Sequence, residues 1–366
     1  MGSAPDVSSP TEARAASSNL MQATTIGGGR SRSSLSLFTW VFCSLLAVWH
    51  AMTLYQRGSG LGPDIPNYKA FYDTIGACDC LNLGPGINSE FLWSVLAVAG
   101  TSLGLSFQQW FVLIVSLQAI TWMAFGFQAS RLLGLSASHA TLSIPLVLLV
   151  VHTIPFTQAG QTNVLRSGLA VPIGALATVL IAQERRKLAS LFVLCAVGIQ
   201  FEVSILMLVG IGTFLFLERN WSLWIGGVMS AVYALGVSTV LAGLIVPPSL
   251  LTLGLEYGAG AQYRTGVRLE FLIFSTAQFV LVWVFTRRET PDSFAWRTIP
   301  WLTGLAVPFL LLGGVAAYSD RWLQPFWSIA SVLIAVLLFR RCQESLQVWL
   351  GVASLAALTA LILFTW

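Results

Sequence analysis

Gln161-Thr-Asn-Val-Leu-Arg-Ser-Gly-Leu-Ala170 carries, in Arg166, the only charged side chain between Arg131 and Glu184. The residues around it read as two membrane passes joined by a short polar link. A guanidinium is thus set into a stretch that otherwise lies in hydrocarbon. Insertion-based scales put a mid-bilayer arginine at roughly 2.5–3.5 kcal/mol, so such a residue is a functional candidate whose partner has to be found. Carboxylates and phosphates suit it best, because its planar fork binds them with two parallel hydrogen bonds.

The composition outside this stretch agrees. Of 366 residues, 56% are hydrophobic and 9% charged, with a mean hydropathy of +0.77, whereas a soluble domain carries about 25% charged residues. The apolar runs are long and unbroken, not alternating segments of about ten residues as in an outer-membrane barrel. The expectation is an all-α polytopic transmembrane bundle. The net charge of +4 is spread in short basic clusters between apolar runs, which reports topology and not nucleic-acid binding.

Other chemistries find little support. Cys43, Cys78, Cys80, Cys195 and Cys342 form no CxxC pair and have no histidines at zinc spacing, so no metal is expected. Cys78-Asp-Cys80 lies in a polar loop and is either a small strained disulfide or two thiols. Gly27-Gly28-Gly29 follows no strand, and there is no phosphate-binding glycine loop, which disfavours a nucleotide-sugar donor or other cofactor. His50, His139 and His152 read as neutral histidines within or beside the bundle.

Residues 1–34 are rich in small and polar side chains and read as a disordered cytoplasmic tail. Residues 35–366 form one transmembrane domain. Arg30 and Arg32 precede an apolar run from about Leu35 to Tyr55, too long for a signal-peptide core, which is the first anchor. Further runs at 91–105, 107–127, 141–156, 167–183, 188–201, 203–217, 223–246, 269–286, 299–317, 323–339 and 346–366 give eleven or twelve membrane segments, some short or re-entrant. Arg185-Arg186-Lys187, Glu218-Arg219, Arg287-Arg288 and Arg340-Arg341 punctuate them, and the positive-inside rule puts all four in the cytoplasm. Two short passes then meet near Gln200. Parity fails early in the chain unless one segment within 91–131 does not cross. The weaker candidate is the first, which carries Gly100, Ser102, Gly104 and Ser106.

The isolated charges collect on the other side: Asp64 with Asn67, Tyr68 and Tyr72 in the extracytoplasmic loop 56–90, then Glu90, Arg166, Glu202, Arg264, Arg268 and Arg321. Singly, each reads as an interfacial ion pair or a snorkelling end. Asp64 is as well suited to capping a helix as to acting as a base. Tyr68 and Tyr72, one turn apart, suit an interfacial anchor or a sugar platform. Arg264 and Arg268 could clamp one anion or anchor a membrane edge, Asp320-Arg321 could be a local ion pair, and Arg166 could pair with Glu90 or Glu202. Together, several arginines beside one or two carboxylates at a membrane surface suit a diphosphate leaving group and a hydroxyl to be deprotonated.

Asp64-x-x-Asn-Tyr-x-x-x-Tyr72, Glu90-Phe, Leu165-Arg-Ser-Gly-Leu-Ala170 and Asp320-Arg321 occur in an order and spacing that resembles the EpsG-type family of exopolysaccharide polymerases, relatives in role of the Wzy O-antigen polymerases. The resemblance spans about residues 36–340. It implies a multi-pass enzyme of the bacterial inner membrane, N-terminus in the cytoplasm, that joins polyprenyl-diphosphate-linked oligosaccharides at the outer face without metal or nucleotide. Asp64, Asn67, Tyr68, Glu90, Arg166 and Arg321 are the matching positions. The family's His-x-Ser is Glu202-Val-Ser204 here, which keeps a proton acceptor and changes its charge. Asp64, Glu202 and Glu90 are therefore the candidate bases, and Arg166 with Arg268 or Arg321 the candidate diphosphate ligands. Other membrane proteins of polysaccharide assembly would be partners. A flippase or exporter of the same lipid, and a transferase using a polyprenyl-phosphate sugar, are the alternatives.

Overall fold

The computed structural model describes residues 29–57, 61–78, 91–238, 240, 244, 267–313 and 320–364, and the elements among them are helices. Glu90, Arg264, Cys80, the side chain of Asp320 and the tail up to residue 28 lie outside the described residues. The chain runs through α1 (Gly29–Arg57), α2 (Ile65–Cys78), α3 (Phe91–Ser102), α4 (Phe107–Leu132), α5 (Ala137–Leu142), α6 (Ile144–Thr153) and α7 (Pro155–Thr162). It continues through α8 (Leu165–Ala182), α9 (Arg186–Ile199), α10 (Phe201–Phe216), α11 (Arg219–Ala234), α12 (Leu269–Thr286), α13 (Phe294–Leu312), α14 (Asp320–Arg341) and α15 (Glu344–Phe364). Among the described residues seven helices are long and apolar enough to cross a membrane: Ser36–Gln56 within α1, then α4, α8 and α12 to α15. The α5–α6 stretch makes an eighth with α7, bent by 74° at the break before Pro155, where the proline can donate no backbone hydrogen bond.

The basic clusters meet at one end of the bundle. Arg340 pairs with Glu289 at 2.6 Å, Arg341 donates to the Phe285 carbonyl at 2.8 Å, and Arg219 donates to the Thr286 carbonyl at 2.9 Å. Glu184 and Arg186 border one cleft with Phe216, Asp292 and Arg297. Leu132 lines the same cleft, so the end of α4 beside Arg131 is here too. Ser36 Oγ lies 3.1 Å from Thr141 Oγ1, which ties the start of α1 to α5. Because Ala189 of α9 and Leu215 of α10 share this cleft, the other ends of the two helices meet at Gln200, as the charge pattern requires. At 1.5 Å per residue, α9 and α10 are about 21 and 24 Å long.

The parity conflict is resolved at α3. Its twelve residues extend about 18 Å, short of the roughly 30 Å hydrocarbon core. It turns back at Gly104, which adopts φ +70°, and a capping box between Ser106 and Gln109 starts α4. Trp110 donates to the Leu96 carbonyl at 3.1 Å and Tyr72 to the Leu105 carbonyl at 2.8 Å, so the whole turn stays beside α2 at the end opposite the basic clusters. The run 91–105 therefore forms a helix too short to count among the spans.

Small residues bring α7 and α8 into contact at that same end. A Cβ on Gly160 would lie 2.8 Å from Gly168 Cα, and one on Gly168 would overlap the Gly160 carbonyl. Overpacking of this kind costs about 1–3 kcal/mol. Gly168→Ala is expected to lower the thermal midpoint of the detergent-solubilised protein. Gly227→Ala, where an added Cβ meets nothing within 4 Å, is expected not to.

Candidate functional site

The bend before α7 and the break at Asn163 before α8 place a short polar backbone segment beside the start of α2. Gly62 N–H donates to the Thr162 carbonyl at 2.7 Å. A side chain at position 62 would run into Asn163, 2.5 Å from its Cβ, so only glycine permits this approach. Asn163 Oδ1 accepts from the Asp64 backbone N–H at 3.2 Å. The Asp64 carbonyl accepts from Tyr68 N–H at 3.1 Å and so opens α2.

With its backbone held by Asn163, Asp64 turns its carboxylate to the far end of the sequence. Arg321 Nη2 donates to Asp64 Oδ2 at 3.0 Å, across 257 residues. Both side chains keep access to solvent, at 27% for Asp64 and 36% for Arg321, so a ligand can reach them. One turn further along α2, Tyr68 is buried edge-on against Trp93, with ring centroids 5.7 Å apart. Its phenol is hydrogen-bonded to Arg166, in the first turn of α8. Guanidinium has no acceptor, so the phenol oxygen accepts and its own proton is left to donate elsewhere. Burial pushes the Tyr68 phenol above its ordinary value, an effect Arg166 offsets and Asp64 reinforces. Tyr68 is thus neutral near pH 7 and feels both charges of the site.

Next to Arg321, Trp322 Nε1 donates to Glu202 Oε1 at 2.7 Å, which brings the start of α10 to the same rim. Two arginines, two carboxylates, a phenol and an amide from α2, the α7–α8 break, α8, α10 and α14 thus share one end of the bundle, opposite the basic clusters. Among the described residues no group of three His, Cys, Asp or Glu side chains could hold a metal.

A family model, described as the EpsG family, matches residues 39–366. The chain belongs to the EpsG family. Comparison with curated proteins and with solved structures finds no match. Membership, with the apolar helices, makes this a multi-pass membrane protein and suggests an exopolysaccharide polymerase-like role.

Within this EpsG-family fold the predicted residues separate into groups. Asp64, Tyr68, Arg166 and Arg321 come together, and Glu202 reaches them only through Trp322, the neighbour of Arg321. Asn67 is on the exposed face of α2. Tyr72 is 3% exposed, with its ring 5.0 Å from Trp110 and its hydroxyl donating to the Leu105 carbonyl, and it borders a separate open pocket with Lys69 and Asp73. Arg268 is not in the cluster. Its Nε donates to Glu270 at 2.8 Å and its guanidinium lies 3.6 Å from the centre of the Phe271 ring. Arg321 pairs with Asp64, while the Asp320 side chain, the other member of the Asp320–Arg321 pairing, lies outside the described residues. Sequence reasoning missed Gly62, Asn163 and Trp322. Asn163 stood in the polar link three residues before Arg166, where an amide at a helix break was the available signal.

His152, on α6, and His50, on α1, are buried with ring centroids 3.9 Å apart, and His152 Nδ1 is 3.1 Å from Gln161 Oε1. This matches their reading as histidines held within the bundle, and it fixes α7 directly below Asn163.

Proposed function

We propose that this protein joins polyprenyl-diphosphate-linked oligosaccharides into an exopolysaccharide or O-antigen-like chain, at the outer face of a bacterial inner membrane. The observation that carries the reading is the Asp64–Arg321 pair beside the Arg166–Tyr68 pair. A glycosyl donor that leaves as a diphosphate needs cations where negative charge develops, and an acceptor hydroxyl needs a base. In the proposed step the acceptor oxygen forms a bond to the donor's anomeric carbon. The bond from that carbon to the diphosphate oxygen breaks, and the diphosphate departs with the electron pair. Asp64 takes the hydroxyl proton, with Glu202 at the rim as the second carboxylate. Arg166 and Arg321 hold the diphosphate, and the Tyr68 O–H supplies a neutral donor to one of its oxygens.

Purified protein in proteoliposomes containing a lipid-linked repeat unit is expected to lengthen the glycan. Transfer of the lipid across the bilayer with no lengthening would identify a flippase instead. The side assignment has its own test. In a variant lacking the five native cysteines, Asn67→Cys is expected to react with an impermeant thiol reagent on intact cells stripped of the outer membrane. Lys187→Cys is expected to react only after permeabilisation, and the reverse pattern would invert the assignment.

A further inference from the structure

Between α11, α12, α13 and α14 lies a second feature that the proposed cluster does not use, an apolar slot of about 210 Å³. On α12 it is lined by Leu272, Ser275, Thr276 and Phe279, and on α11 by Leu223, Gly226, Gly227 and Ser230. Each set repeats at three- and four-residue steps, which makes it a single helix stripe. Phe309 and Phe326 form the far wall. Of the four hydroxyls along it two are engaged: Ser275 Oγ accepts from Trp327 Nε1 at 2.8 Å, and Thr303 Oγ1 donates to the Ile299 carbonyl at 3.0 Å. What faces the slot is hydrocarbon. An apolar cavity of roughly 150 Å³ stays dry and takes up a benzene-sized hydrocarbon, so this one has room for a segment of lipid chain. Gly227 leaves α11 without a side chain there, since a Cβ would meet nothing within 4 Å.

The two stripes end on a polar pair. Arg268 continues the α12 stripe one turn beyond Leu272, and Tyr233 continues the α11 stripe one turn beyond Ser230. They meet, with the Arg268 backbone N–H donating to Tyr233 Oη at 2.9 Å. Glu270 occupies the Nε edge of Arg268, and among the described residues the guanidinium's other donors have no hydrogen-bond partner, which leaves them for an anion. This is a hydrocarbon slot with a cation at its head, at the same end of the bundle as Asp64.

We propose that the slot binds the head-proximal isoprene units of the lipid-linked acceptor, with the acceptor's diphosphate at Arg268. The inference rests on the polymerase reading. The donor's diphosphate must sit at the reacting carbon, beside Asp64, and Arg166 and Arg321 are there. The acceptor reacts through a sugar hydroxyl separated from its own diphosphate by the length of its glycan. A phosphate site set apart from Asp64 therefore suits the acceptor, which keeps its lipid through the reaction.

The test uses the full chain in proteoliposomes and a prenyl diphosphate carrying a photoreactive diazirine near its head. Adducts are expected on the slot residues of α11 and α12, suppressed by unlabelled prenyl diphosphate. Gly227→Trp, which fills the slot, is expected to reduce them by about tenfold, the scale set by excluding a methylene or two from an apolar pocket. Gly226→Leu serves the same purpose if the tryptophan variant does not fold. In elongation assays Gly227→Trp is expected to raise the KM for a long-prenyl acceptor, leaving kcat and the donor KM unchanged. Equal labelling by a diazirine phospholipid that prenyl diphosphate does not displace would assign the slot to ordinary bilayer lipid and overturn the proposal. An unchanged acceptor KM in a folded Gly227→Trp protein would overturn it as well. Photolabelling needs no turnover, so a failure of the polymerase reading would show separately, as slot labelling without elongation.

Discussion

Asp64→Asn is expected to lower glycan elongation by about 10²–10⁴-fold, the range for loss of a positioned general base. The amide keeps the shape of the carboxylate and can still accept a bond from Arg321, but it cannot take the hydroxyl proton. Because the Asp64–Arg321 bond at 3.0 Å would also be weakened, the single variant does not separate catalysis from structure. The double variant Asp64→Asn, Arg321→Gln does. Were Asp64 only an ion-pair partner, neutralising both members would remove the stranded charge and restore activity toward the Arg321→Gln level. As a base it is irreplaceable, and the double variant is expected to be as inactive as Asp64→Asn. Recovery in the double variant would assign Asp64 to structure and pass the base role to Glu202, which is exposed at the same rim.

Arg166→Lys is expected to cost about 10²–10³-fold in kcat, the scale of one lost donor to a developing oxyanion. Lysine preserves the charge and loses the planar fork, so a purely electrostatic role would survive the change and a bidentate one would not. The loss should fall on kcat more than on KM, because charge on the bridging oxygen develops only in the transition state. Tyr68→Phe provides the internal comparison: it removes the phenol that Arg166 holds and keeps the guanidinium. Its smaller loss, about the size of one hydrogen bond to a charged group at 1.5–3 kcal/mol, would leave most of the effect with Arg166. Wild-type product lengths in Arg166→Lys would count against diphosphate recognition.

The bundle was largely legible because hydrophobic runs and basic clusters are local signals. Runs at 167–183, 188–201, 203–217 and 269–286 coincide with α8, α9, α10 and α12 to within a few residues. The hairpin at Gln200 followed from counting charges alone. Even the conflict of parity pointed to its own solution, since glycines and serines near residue 100 leave α3 an apolar helix only twelve residues long. The site was legible only in part. Nothing local pairs Asp64 with Arg321, because the contact spans 257 residues and depends on how α14 packs beside α7. The packing of Tyr72 was hidden for a related reason: an aromatic one turn from Tyr68 has the same spacing whether or not its ring packs on Trp110. The bend at Ile154 was hidden inside an apparently continuous apolar run, although Pro155 marked it.

In the proposed reaction, glycan lengthening at Asp64, Arg166 and Arg321 expels a lipid diphosphate. The direct measurement is the amount of free polyprenyl diphosphate released per glycosidic bond formed, in proteoliposomes of the purified protein supplied with a lipid-linked repeat unit. Equal amounts of each are expected in the wild type, and neither product in Asp64→Asn. Lengthening without diphosphate release, or movement of the lipid across the bilayer with neither product, would contradict it.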